Sequence, residues 1–345
     1  MKAMFQTISE RLNRGEDLVL VTVVASSGAT PRGEGARMLV GAEGRICGTI
    51  GGGAVEYRSE QMAADVLRAR ESRTQSFTLA RNDVMDLGMI CGGDVEVFFH
   101  FLDSADASVP ALAAEAEALF AGGRDLWLVS ELSSGGRLGL WSRETGFVGV
   151  DAPDALADEM RRKPMRVILD GREYYLEQIR SSGRVYVFGC GHVAQELVPV
   201  LAHVGFRCVA LDDRPEFARR ELFPDAEEVR VVDFGDLKSA VTLTQEDYVC
   251  VMTRGHAFDG VAQAFAMQSP ACYIGVIGSR RKIAGVTARL KQEYGFCDAD
   301  FARVTSPIGL YIRAETPAEI AISIAGQLIE VRAERSGREG RGTGA

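Results

Sequence analysis

At 345 residues the chain is long enough for two or three domains with cores of their own, and 46% apolar with 25% charged residues is ordinary for a globular protein. A net charge of −9 and a pI near 5.2 argue against nucleic acid as a bulk electrostatic partner. No apolar run reaches the ~18 residues that span a bilayer, and the opening MKAMFQTISERLNRGED lacks a signal-peptide apolar centre. Seven scattered cysteines with no CxxC pair read as reduced thiols of a cytoplasmic protein, not as a disulfide framework or zinc site.

Residues 1–16 read as an amphipathic helix with Met4, Phe5, Ile8 and Leu12 on one stripe, and the valine-rich run 18–25 reads as a strand. The loop SSGATPRGEGARM (26–38) holds Ser26, Ser27, Thr30, Arg32 and Arg37 between two strands. Such loops bind anions when carried on a rigid frame, so Arg32 and Arg37 are candidate cofactor contacts; a solvated hairpin loop is the plain alternative. Runs 38–40 and 45–49 pair around a turn at Ala42-Glu43-Gly44. Gly51, Gly52 and Gly53 then open a helix over 54–70. Three glycines there can turn several N–H groups toward one anion, or can mark a sharp turn under close packing. Residues 95–102 read as a strand, and Cys91 stands just before it on the turn Cys91-Gly92-Gly93. A thiolate at Cys91 can ligate a soft metal or carry sulfur, and a buried structural cysteine is the alternative.

A helix is expected over 109–121. Short strands follow over 126–130, 137–142, 167–169 and 173–178, with turns at Gly135-Gly136 and Asp170-Gly171. This part carries no evident chemistry and is expected to extend the first sheet or form a small bridge. Ser181-Ser182-Gly183 is the expected hinge.

The stretch 184–214 has the most to say. A strand over 185–188 stops at Gly189-Cys190-Gly191, a helical pattern follows, and a second strand over 208–211 leads into Asp212 and Asp213. This is the opening of a dinucleotide-binding βαβ unit. Gly189 allows the tight turn, Gly191 lets a pyrophosphate approach the backbone, Ala194 stands at the third small position, and the helix start beginning His192-Val193 offers amides to the anion. Asp212, about twenty residues on, is placed to accept from a ribose. Further strands over 229–232, 248–253 and 272–277 end in TRGHAFD and GSRRK. Asp212, Asp213, Arg214, Thr253, Arg254, His256, Asp259, Ser279, Arg280 and Arg281 therefore share the carboxyl edge of one parallel sheet, where open α/β sheets bind ligands. His192 and His256 both start helices at that rim. Pro317 with the stripe Ile320, Ile324 and Leu328 predicts a closing helix, and the glycine- and charge-rich tail 334–345 is expected to be disordered.

The chain resembles the xanthine dehydrogenase accessory factor family, the XdhC/CoxI type. The likeness rests on ATPRGEGARM, GTIGGGAVE and CGG in the first half, and on VFGCGHVAQEL, LDDRPEFA, VMTRGHAFD, YIGVIGSRRK and SPIGL with TPAEIAISI in the second. The resemblance implies an N-terminal α+β domain followed by a Rossmann domain. It also implies binding of molybdenum cofactor, and a part in its sulfuration and insertion into a molybdenum hydroxylase such as xanthine dehydrogenase. Three positions depart from the family pattern: Ala54 where many members carry cysteine, Arg254 where histidine is usual, and Arg313 where glycine is common.

These readings set an expected fold of α/β class, with an N-terminal α+β domain (1–125), a β-rich extension and linker (126–182) and a C-terminal Rossmann-type doubly wound parallel sheet (183–333). The first functional expectation is a maturation factor acting as a chaperone for molybdenum cofactor, as molybdopterin or a dinucleotide form. The phosphates would sit on Gly189, Gly191, His192 and Val193, flanked by Asp212, Asp213, Arg214, Thr253, His256, Ser279 and Arg280. Arg32, Arg37 and the Gly51, Gly52 and Gly53 loop would close over the pterin and metal end, with Cys91 as catalytic thiol or metal ligand. The implied partners are a molybdenum hydroxylase, a cysteine desulfurase and a second copy in a homodimer. The alternatives are an NAD(P)-dependent oxidoreductase with His192 or His256 as proton donor, and a nucleotide-sensing scaffold.

Overall fold

Strand β1 (Leu18–Gly28) is buried over its first seven positions, all apolar but Thr22, because both its faces are covered. Leu18 and Leu20 join a core with Phe5, Ile8 and Leu12 of α1 (Lys2–Leu12). Val19, Val21 and Val23 join another with Val55, Ala63 and Val66 of α2 (Gly53–Ala69). The two-residue alternation of a strand sends the two sets to opposite sides. The computed structural model describes residues 1–28, 30, 32–78, 93–121, 125–133, 135–180, 183–254 and 256–336. The chain divides into two units, residues 1–181 and 182–345.

In the first unit β1 is the centre of an antiparallel sheet with β2 (Arg37–Gly41), β3 (Gly44–Thr49), β4 (Arg73–Thr78) and β5 (Gly93–Leu102), in the order β3-β2-β1-β5-β4. Leu112, Ala113 and Ala116 of α3 (Ser108–Ala121) complete the core beside α1. Residues 126–180 do not extend this sheet. They make a second antiparallel one from β6 (Leu126–Glu131), β7 (Leu138–Ser142), β8 (Gly146–Val148), β9 (Met165–Leu169) and β10 (Arg172–Arg180), ordered β8-β7-β6-β10-β9. It too is covered on both faces. Leu126, Leu128, Leu138 and Leu140 join the α1 core, and Val129, Tyr174 and Leu176 gather around Leu156. Ion pairs from Arg37 to Glu177 and from Arg166 to Glu96 tie the two sheets together.

The second unit is a six-stranded parallel sheet of β11 (Val185–Phe188), β12 (Cys208–Asp212), β13 (Glu228–Val231), β14 (Tyr248–Val251), β15 (Tyr273–Val276) and β16 (Val304–Thr305). Its order, β13-β12-β11-β14-β15-β16, is that of a Rossmann domain. Val185 and Val187 pack with α4 (His192–His203) and the closing helix, while Tyr186 and Phe188 face the opposite core. The connecting helices are a short α5 (Leu237–Ala240), α6 (His256–Met267), α7 (Arg280–Tyr294), a short α8 (Asp298–Phe301) and the closing α9 (Pro317–Arg335). Helix α9 reaches Arg335, two residues into the tail expected to be disordered, because Arg335 donates to the Gln245 carbonyl at 2.9 Å and pairs with Glu246. Residues 337–345 lie outside the described residues. Among the described residues no helix is long and apolar enough to cross a membrane.

Candidate functional site

The winding of the parallel sheet reverses between β11 and β14, and the turn after β11 sits at that reversal. A Cβ on Gly189 would lie 2.4 Å from the Met252 carbonyl oxygen and 2.7 Å from the Thr253 Cα, and the residue holds φ +108°. The chain leaving β14 therefore forces glycine at 189. Nothing among the described residues forces it at 191: the backbone there is ordinary, with φ −73°, and apart from its chain neighbours no atom of the described residues lies within 4 Å of an added Cβ. Gly191 is the N-cap of α4 and no side chain caps that helix. The amides of Gly191, His192 and Val193 meet no acceptor among the described residues. Ala194 is fully buried against the sheet. The mouth of α4 is thus an open, amide-lined end of a helix dipole, suited to a phosphate.

Asp212 ends β12 beside this mouth, but its oxygens face inward. It is 1% exposed and accepts from the Cys190 amide at 2.7 Å, the Arg214 amide at 3.0 Å and the Arg214 guanidinium at 2.8 and 3.0 Å. Burial pushes this carboxyl up, and the Arg214 and Cys190 donors outweigh it, so Asp212 stays below the usual carboxylate range. Asp213 is the half-buried neighbour; burial and its hydrogen bond with Asp212 push it up. Asp212 thus braces the turn, and Asp213 is the acid within reach of a ligand. The Arg214 guanidinium lies 3.7 Å over the Phe217 ring.

Across the reversal, the buried Thr253 hydroxyl donates to Asp259 at 2.5 Å, and Lys282 pairs with the other oxygen of that fully buried carboxylate. The motifs TRGHAFD and GSRRK are thereby joined through one carboxylate. Ser279 caps α7 by accepting from the Lys282 amide at 3.3 Å. A shallow groove of about 590 Å³ runs along the start of α7, lined by Ser279, Arg281, Lys282, Gly285, Val286 and Arg289. Lys282 and Arg289 were not singled out from the sequence. The signal was the seven-residue spacing of Lys282 and Arg289, which puts these two cations on one face of the helix. His192 is exposed at the mouth of α4. The side chains of His256 and Arg280 lie outside what is described.

The anion-binding candidates of the first unit are largely engaged within it. Arg37 is buried on β2 and paired with Glu177, with a further contact to the Met1 sulfur at 3.0 Å, whereas Arg32 is exposed. The triple glycine already holds an anion, the Glu56 carboxylate of α2. Glu56 accepts from the Ile50 amide at 2.9 Å, the Gly52 amide at 3.1 Å, the Thr49 hydroxyl and Arg45, and the Gly51 amide donates to Thr49 at 3.1 Å. Burial pushes the Glu56 carboxyl up, but these donors together hold it below its ordinary value. The Gly53 amide has no such partner among the described residues.

Cys91 lies outside the described residues. Cys190, in the glycine turn, is fully buried, and its thiol is pushed up to about 12 by burial and by the Asp212 charge, so it is no thiolate at neutral pH. Among the described residues no cluster of histidine, cysteine and acid is arranged to hold a metal ion.

With this geometry in view, comparison with known proteins is specific. Residues 185–328 match the family described as the XdhC Rossmann domain, and residues 11–78 match the XdhC and CoxI family. The chain belongs to the XdhC and CoxI family. Among its relatives is a Bacillus subtilis protein named as a probable subunit of xanthine dehydrogenase, 25% identical over 321 residues, covering 92% of this chain and 94% of that protein. The molybdenum cofactor insertion chaperone PaoD of Escherichia coli is 25% identical over 325 residues, covering 94% and 86%. YqeB of Escherichia coli is 26% identical over 314 residues; the match covers 91% of this chain but only 43% of that longer protein. A crystal structure described as a xanthine dehydrogenase of Bacillus halodurans aligns with a TM-score of 0.76 at 25% identity, over 99% of this chain and 97% of the other.

Two departures of this XdhC-family chain have a physical setting. Ala54 is buried in the first turn of α2, so the methyl group in place of the family's thiol faces inward. Arg313 is exposed and holds φ +60°, the left-handed conformation that suits the glycine common there. Arg254 is exposed just past β14.

Proposed function

We propose that this chain is a maturation factor for a molybdenum hydroxylase of the xanthine dehydrogenase kind. It takes up molybdenum cofactor as cargo, by the phosphate or pyrophosphate end, and hands it to the enzyme. The observation that carries this is Gly191. A Cβ would fill the space there, no part of the fold needs its absence, and the amides behind it have no acceptor among the described residues. A phosphate fits that cradle, with Asp213 and the groove cations Arg281 and Lys282 at the same end of the sheet. The names of the Bacillus subtilis relative and of PaoD support the assignment of cargo and client. Cys91 is the proposed thiol, as a soft ligand for the metal or as carrier of sulfur supplied by a cysteine desulfurase. A Cys91→Ala protein should still bind the pterin but deliver cofactor that leaves the hydroxylase inactive; full delivery would remove Cys91 from the scheme.

Purification from a molybdenum-replete host, with metal analysis and fluorescence of the oxidised pterin, tests the carrier reading. Metal and pterin in equal amounts are expected, and their absence would count against it. A nicotinamide dinucleotide uses the same kind of turn, but the acid at the end of the second strand, Asp212, is engaged by Cys190 and Arg214, so its ribose would have to be held by Asp213 instead. Calorimetry with NAD(H) and NADP(H) separates the two readings; micromolar binding would favour the oxidoreductase.

A further inference from the structure

Helix α9 is apolar on two sides. Ala321, Ile324, Ala325 and Leu328 are buried against the sheet, while Ile322 (55% exposed) and Ile329 lie outward, seven residues apart and so on one face. The segment before the helix adds Leu310, Tyr311 (89% exposed) and Ile312. These are one surface. The Leu310 amide donates to the Ser323 carbonyl, Ser323 donates back to Leu310 at 2.7 Å, and the Leu310 side chain rests over Gly326, between Ile322 and Ile329. A helix that is buried on one apolar side and exposes a second is one whose outer side something covers, and an exposed apolar surface of this kind marks an interaction site.

The charges around it select the occupant. Arg332 turns inward, 4.1 Å over the Phe206 ring and 3.0 Å from the Val204 carbonyl, and Arg335 turns to Gln245 and Glu246. The exposed rim is left to Glu315, Glu319, Glu330 and Glu334, with Arg313 its one exposed cation among the described residues. A second copy would set acid against acid. We infer that this face docks a different protein, one whose own apolar patch is ringed by lysine and arginine. Resting on the function proposed above, that protein is the hydroxylase that receives the cofactor.

The test is equilibrium binding of the purified full chain to the cofactor-free hydroxylase at low and at moderate salt, with cofactor binding measured separately. Ile322→Glu and Tyr311→Ser should each weaken docking about tenfold or more, as loss of a central anchor does, and leave cofactor binding and the unfolding temperature unchanged. Glu330→Lys with Glu334→Lys should weaken docking and flatten its salt dependence, because wild-type affinity should fall as salt rises. Docking untouched by all of these overturns the proposal. So does self-association that vanishes in Ile322→Glu while hydroxylase binding stays, since the occupant is then a second copy. Failure of the wild type to bind the hydroxylase also overturns it, and cofactor loading of that same protein then shows whether the carrier reading survives.

Discussion

A methyl group at Gly189 would press into the Met252 carbonyl, and one at Gly191 would meet open space. Gly189→Ala should therefore destabilise the second unit by about 2 kcal/mol or more, from the clash together with the cost of φ +108°. Gly191→Ala should stay within about 0.5 kcal/mol of wild type; thermal unfolding of both reads the difference. His100 makes a separate prediction. It is buried on β5 beside Phe98, and burial lowers it from 6.5 to about 4, against a hydrogen bond with the Gly136 backbone that raises it. The folded state thus refuses a proton that the unfolded chain accepts. Stability from this group is fully present above pH 6.5 and is lost as pH falls toward 4, on the order of 3 kcal/mol in all. In His100→Gln, proton uptake on unfolding at pH 5 should drop by nearly one; an unchanged uptake would show that His100 is not the source. Arg313→Gly should stabilise slightly, by up to about 1 kcal/mol, in denaturant titrations, because it relieves the left-handed backbone. At this scale the sequence was readable where backbone conformation sets the residue, as in the tight turn at Gly189 with its φ of +108°. It was not readable where the reason is a partner: the roles of Asp212 and Arg37 follow from Cys190, Arg214 and Glu177, which composition and spacing do not point to.

Elements were legible in proportion to their burial. β1, β11, β12 and β14 are covered on both faces and read as mainly apolar runs, broken only by Thr22 and by residues at the strand ends. β4, RTQSFT, is an exposed edge strand with no apolar alternation, and β8 and β16 are three and two residues long, so none of these left a pattern to find. The triple glycine before α2 was legible as an anion-holding turn, but the anion is the protein's own. Glu56→Ala should leave the buried Ile50 amide and the Arg45 charge without their partner and cost about 2–4 kcal/mol, seen as early unfolding of the first unit. Because Glu56 titrates below its ordinary value in the folded state, its contribution is present above the unfolded carboxylate range and is lost as pH falls through the lowered one.

At the scale of the whole molecule, the shared edge of the second unit follows from the alternation of strands and helices alone. Parallel strands joined by right-handed crossovers bring every βα loop to one end, and Gly191, Asp213, Thr253 and Ser279 are there. What could not be foreseen was the division of labour along that edge. Asp212 and Asp259 are internal braces, each with donors on its oxygens, and the amides at the mouth of α4 are without an acceptor among the described residues. The most direct test of this account is a titration of molybdenum cofactor onto wild type and Gly191→Asp, a change that sets a negative charge in the cradle without a steric clash in the fold. The account predicts saturable binding by wild type, and a loss of about tenfold or more in a variant that unfolds at the same or a slightly higher temperature, because the new carboxylate caps α4. Equal binding by the two proteins, or none by either, would contradict it.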